Sequence, residues 1–195
     1  MTEDSHDLQA AGLSAVIRAE GAEPCSLRDR AGRELLWQAE PAWPRHAPVL
    51  FPIVGRLAGD RLRHAGRSHR MTQHGFARDR RFAWEARSAG ACRLSLGEDA
   101  ETRAAYPFAF RLEVSYALAA DGLTVTYAVT NPGAEVLPAS IGAHPAFRWP
   151  LVPGLPKEAH RLEFAEAEPA PVRRLSGGLL DPGEEATPIR GRCDW

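Results

Sequence analysis

Two alternating runs joined by a tight turn constrain this chain more than any other feature. Between Arg111 and Leu118, the residues Leu112, Val114, Tyr116 and Leu118 are apolar at every second position. After Asp121-Gly122, the residues Leu123, Val125, Tyr127 and Val129 repeat the pattern. A period of two places the apolar side chains of each run on one face of a strand, and a turn with Asp-Gly joins two such strands. The spacing predicts a β-hairpin with one buried face and with Thr124 and Thr126 on the other. Further strands are expected at Leu13–Ala19, Ser26–Arg28, Glu34–Gln38, Phe82–Arg87, Ala91–Leu96 and Arg161–Phe164. The most helix-like stretch, Glu98 to Ala105, is short and ends before Tyr106-Pro107. With 17 glycines and 16 prolines scattered along 195 residues, the pattern is that of many short strands separated by turns. The expected fold is all-β, a large antiparallel sandwich forming a single domain over 1–195, with residues 1–9 flexible.

Charge and composition exclude several function classes. Basic and acidic residues number 24 and 25, a net charge of −1, so no overall field draws the chain to nucleic acid or an anionic membrane. No run of about 18 apolar residues occurs, and Met1 to Asp7 lacks the basic and apolar regions of a secretory signal. Cys25, Cys92 and Cys193 are odd in number and far apart, which suits a reduced, cytoplasmic setting.

Two loop-like stretches carry the chemistry. The first is Phe51-Pro-Ile-Val-Gly-Arg56, continued by Gln73-His-Gly-Phe-Ala-Arg-Asp79, and the second is Gly142-Ala-His-Pro-Ala-Phe147. Each holds a histidine among glycine, proline and aromatic residues, which allow close backbone approach and offer flat apolar walls to a ligand. The spacing His64, His69, His74 raises a metal site. Offsets of five alternate between the faces of a strand, however, and the tighter pairs usual for zinc are missing, so no metal is expected. The stretch from Arg56 to Arg81 holds eight arginines against Asp60 and Asp79. It reads as a solvated hairpin face, or as a grip on an anionic sugar through bidentate contacts.

Taken in order, these three phrases resemble the aldose 1-epimerase family, the galactose mutarotases, and especially its less characterised bacterial branch. The resemblance runs from about residue 10 to the end. It implies a galactose mutarotase-like β-sandwich that interconverts the α and β anomers of a hexose or related sugar, without a cofactor. On this resemblance His144 is the general acid that protonates the ring oxygen, and His74 is a catalytic and substrate-binding residue that hydrogen-bonds the sugar near that oxygen. Arg56 is a sugar-binding arginine. Arg78 and Asp79 complete the substrate-binding set, most simply as an ion pair that orients the loop. The implied partner is a small sugar, free or phosphorylated, bound by a monomer or homodimer.

The family's base is a glutamate near the C-terminus, in a phrase such as Glu-Pro-Trp, and it has no counterpart here. Glu184 and Glu185, after Asp181-Pro182-Gly183, are the remaining candidates. By the order of the motifs, the family's last strands are expected to fall beyond Trp195 and to leave an open apolar patch. A chain so shortened is expected to accelerate mutarotation little. The competing expectation is a non-catalytic carbohydrate-binding or sensing protein on the same scaffold.

Overall fold

The computed structural model describes residues 4–166, 172–186 and 192–193, with side chains described through Asp181 except at 172 and 173. The chain divides into two compact units, Met1–Phe147 and Arg148–Trp195, where the sequence predicts one domain.

Within the first unit, β1 (Ser5–Ala10), β2 (Leu13–Arg18) and β3 (Pro24–Arg28) form a three-stranded antiparallel sheet. A short strand and a hairpin follow, β4 (Val49–Leu50), then β5 (Arg61–His64) and β6 (Arg67–Arg70). Next come β7 (Ala83–Arg87), β8 (Ala91–Gly97), the single-turn helix α1 (Ala100–Ala105), β9 (Arg111–Ala119), β10 (Gly122–Thr130) and β11 (Gly142–Ala143). The strands β10-β9-β8-β7 make a four-stranded antiparallel sheet. The second unit carries β12 (Leu162–Glu163), β13 (Val172–Ser176), β14 (Leu179–Ala186) and β15 (Arg192–Cys193), paired β12 with β15 and β13 with β14.

The expected hairpin is present, with Leu123 opposite Leu118 and Val129 opposite Leu112. In β9 the alternation is complete: Leu112, Val114, Tyr116 and Leu118 are all buried. In β10 it is only half realised, since Leu123, Val125 and Tyr127 are partly buried and Val129 is exposed. The physical reason is position, because among the described residues β9 has neighbours on both sides and β10 is the edge of its sheet. Near that edge Val129, Val136 and Ile141 line an apolar hollow of about 500 Å³.

The two larger sheets face each other across the core. Leu8, Ala15 and Ile17 from the first sheet join Leu94, Leu112, Val114 and Tyr116 from the second in one buried cluster. The Tyr116 hydroxyl donates to the Ala22 carbonyl at 2.6 Å, so this buried hydroxyl is satisfied rather than stranded.

Two expectations are corrected. Ser5–Ala10, inside the stretch expected to be flexible, is a strand paired along its whole length with β2, and residues 1–3 lie outside the described residues. Its inward residues His6 and Leu8 are buried, and that burial holds the segment in place. Glu34–Gln38 is no strand. It makes only isolated bridges, Glu34 with Arg28 and Leu36 with Phe147, because the Glu34 carboxylate takes the Leu27 and Leu36 amides and the Ser26 hydroxyl.

Candidate active site

The first histidine loop is built on Phe51, a fully buried ring at the end of β4. Its carbonyl accepts hydrogen bonds from the Phe76 and Ala77 amides at 3.0 and 3.2 Å, and Phe51 bridges Gly75 in parallel. That close approach leaves no room for a side chain at 75. It also forces a left-handed backbone at both His74 and Gly75, with φ of 67° and 72°. In return His74 is fixed by two bonds to one residue, one from its backbone and one to its ring. Its amide donates to the Gly55 carbonyl at 2.7 Å, and its Nδ1 accepts from the Gly55 amide at 3.0 Å.

An N–H aimed at Nδ1 means that the hydrogen of the neutral ring sits on Nε2. Electrostatics favour the same form. Burial first, then Arg78, His144 and Arg45, hold the His74 pKa below its ordinary 6.5. His74 is therefore a neutral imidazole that presents an Nε2–H donor.

Because the folded pKa is the lower one, the unfolded chain takes up the proton first. The stability from a neutral His74 is complete above about pH 6.5 and is lost as pH falls toward the folded value. We expect the thermal midpoint to decline below pH 6.5, with a shallower decline in His74→Gln, measured by circular dichroism between pH 8 and 5. Equal slopes for the two proteins would refute this reading.

The second histidine is held by β11, which pairs with β4 through Gly142–Leu50 and Ala143–Val49. The pairing continues past the strands: the His144 amide donates to the Pro48 carbonyl at 3.2 Å, and the Ala146 amide to the His46 carbonyl at 2.9 Å. Both histidine loops thus share one short strand. The rings of His74 and His144 lie 6.5 Å apart, edge to face at 72°. On His144 packs a residue the sequence did not single out, Trp43, at 5.0 Å between ring centres and tilted by 32°.

The expected arginines have different places. Arg56 follows the Gly55 that holds His74, yet its guanidinium grips Asp60 through Nε and Nη2 at 2.6 and 2.9 Å. With its fork occupied and 44% of its side chain exposed, it is a surface ion-pair residue in this state. Arg78 is more buried; its Nη2 donates to the Gln73 carbonyl at 2.7 Å, while its Nε is buried without a hydrogen-bond partner. Burial and Arg45 hold its pKa below the usual guanidinium range. The Arg78–Asp79 pair is loose, 3.7 Å at closest, because Arg45 takes Asp79 at 2.8 Å. Trp43 and Arg45 sit between Pro41, Pro44 and Pro48, a stretch without periodicity, so no sequence pattern pointed to them.

The three histidines at offsets of five do not converge. His64 packs on the Phe108 ring, His69 bonds the Ala104 carbonyl, and His74 bonds Gly55. Among the described residues no group of three histidine, cysteine, aspartate or glutamate side chains could hold a metal ion.

A family model described as aldose 1-epimerase matches residues 4–192. The chain belongs to the aldose 1-epimerase family. Protein LacX of Lactococcus lactis subsp. lactis, in its plasmid form, is 35% identical over 178 residues, which is 87% of this chain and 60% of that protein. A galactose mutarotase related enzyme from Lactobacillus acidophilus superposes with a TM-score of 0.92 at 31% identity, covering 98% of this chain and 65% of the other. A galactose mutarotase-like protein from Lactobacillus casei gives 0.80 at 31% identity, over 96% and 67%. The family's sandwich is thus the fold of this chain, which spans about three fifths of the length of its curated relative. Among the described residues no helix is long and apolar enough to cross a membrane.

Proposed function

We propose that this aldose 1-epimerase family member acts on a hexose or related sugar, interconverting its α and β anomers through ring opening. The observation that carries the reading is the His74–His144 pair, two imidazoles 6.5 Å apart with His74 held neutral as an Nε2–H donor. A base removes the O1 proton, the O1 electron pair forms the C1=O1 bond, and the C1–O5 bond breaks. His144, as imidazolium, gives its proton to O5. The open aldehyde rotates about C1–C2, and O5 attacks the other face of C1 as its proton returns to His144 and O1 regains one from the base. Each proton transfer by a positioned group contributes about 10²–10⁴-fold. His74 donates to a sugar oxygen near the reacting bond, and the reaction balances without a cofactor.

The substrate-binding set then comprises His74 with Arg78, while Asp79 anchors Arg45; Arg56 joins the set by exchanging Asp60 for a sugar hydroxyl or phosphate. We place the reaction in the cytoplasm, on a monomer or homodimer. The second reading is a sugar-binding protein without turnover on the same scaffold.

Polarimetry on freshly dissolved α-D-glucose, α-D-galactose and their 6-phosphates tests the proposal, with calorimetric binding of the same sugars alongside. A rate above spontaneous mutarotation on any of them supports the isomerase. Binding without added rate supports the sugar-binding reading, and neither binding nor rate refutes both.

A further inference from the structure

The stretch from Leu36 to Pro48 is tied to the His144 strand along both of its ends. At one end Leu36 bridges Phe147 and the Trp37 amide donates to the Ala146 carbonyl at 2.9 Å. At the other, the His46 and Pro48 carbonyls accept the Ala146 and His144 amides. Between these anchors the chain turns back, and the turn is fixed at one atom. The Trp43 carbonyl accepts both the Trp37 indole N–H at 2.8 Å and the Arg45 amide at 2.9 Å, while the Trp43 amide donates to Glu40. This brings the Trp43 indole onto His144 at 5.0 Å, and two residues later Arg45 reaches the His74 loop at Asp79. One turn therefore touches both histidine loops, the first through a ring and the second through an ion pair.

Among the described residues His144 itself has only a backbone tether, its amide on Pro48, and its side chain is exposed. Its ring neighbours are Trp43 and His74. His74 cannot move to follow it, because Gly55 holds that ring at Nδ1 and its backbone amide at once. An exposed imidazole with two rotatable bonds samples several orientations unless a surface confines it. The large rigid face of Trp43 is that surface.

We propose that Trp43 is the positioning residue of His144, packing on the imidazole so that its Nε2 or Nδ1 meets the ring oxygen of a bound sugar in one orientation. This rests on the reading of His144 as the acid. An acid misplaced by about 1 Å can cost on the order of 10²-fold in rate, whereas ground-state binding of the sugar through other residues is untouched. The plane rather than the indole N–H is what matters, so phenylalanine at 43 should do most of the work of tryptophan and leucine little of it.

The test compares Trp43→Leu and Trp43→Phe in the full chain. In Trp43→Leu we expect kcat to fall about 10–10²-fold with KM within about twofold, and Trp43→Phe to recover most of the loss. The proton signals of the His144 imidazole, assigned by their loss in His144→Gln, should be displaced by the Trp43 ring. They should move to the position of a free histidine in Trp43→Leu but not in Trp43→Phe. The spectroscopic arm needs no turnover, so a protein inactive on every sugar would refute the isomerase reading while this arm still decides the placement. Unchanged His144 signals in a folded Trp43→Leu, or a kcat equal to wild type, would overturn the proposal. Should Trp43→Leu fail to fold, Trp43→Val and the Phe variant carry the same comparison.

Discussion

Replacing Gly75 by alanine is expected to destabilise the protein by about 2–4 kcal/mol and to displace His74 as it does so. Two independent costs meet at this residue. The backbone lies in the left-handed region at φ of 72°, where a Cβ is strained. A Cβ built there would also stand 2.5 Å from the Phe51 carbonyl carbon and 2.7 Å from the Pro52 ring, and closer still to the carbonyl oxygen. These are backbone and ring atoms, which cannot swing aside as a flexible side chain does. Phe51 is fully buried and accepts two amides through that carbonyl, so the loop rather than the core must give way. The loop that yields carries His74 one residue away. Urea unfolding should show the lower midpoint, and the His74 signals should lose the mark of the Gly55 contact. Gly55→Ala is the comparison: its φ of 89° also strains a Cβ, but nothing lies within 4 Å of a built one, so the strain cost applies without the clash. Equal losses at the two positions would contradict the steric argument.

The parts of this fold legible in the sequence were those where one local rule decides. Leu112 to Leu118 alternate because β9 lies between β8 and β10, and burial on one face leaves its period in the sequence. The same rule overreached at β10, where the identical pattern meets a sheet edge and Val129 stays exposed. It missed β1 altogether, whose inward residues are His6 and Leu8. A histidine bonded to the Ser88 carbonyl at 2.8 Å is buried without looking apolar.

At the site, the histidines were visible through the glycines and prolines around them, since a close backbone approach such as Gly75 on Phe51 demands those residue types. Their partners were not visible. The pairing of Arg56 with Asp60, the capture of Asp79 by Arg45 and the placing of Trp43 on His144 depend on which of several chemically equivalent groups lies nearest. Sequence spacing carries no record of that except in the i,i+4 pair Arg56–Asp60. The strong arginine run resolved in the same way. Arg56, Arg78, Arg80 and Arg81 each face an acid, whereas Arg61 and Arg70 stand opposite one another on the β5–β6 hairpin.

The largest effect on activity is expected at His144. In any form of this protein that accelerates mutarotation, His144→Ala should lower the catalysed rate by about 10²–10⁴-fold, because water must then protonate O5 as the C1–O5 bond breaks. His74→Ala should cost less. It removes a neutral donor, a contribution of about 10–10²-fold from one hydrogen bond at the reacting centre. The double variant should be little slower than His144→Ala alone, since the two serve the same ring-opening step and their effects do not add. Added imidazole separates a lost acid from a damaged fold: it should restore part of the rate to His144→Ala and none to Gly75→Ala. Polarimetry with and without imidazole reads all four proteins on one sugar. A His144→Ala protein as fast as wild type would remove this histidine from the chemistry.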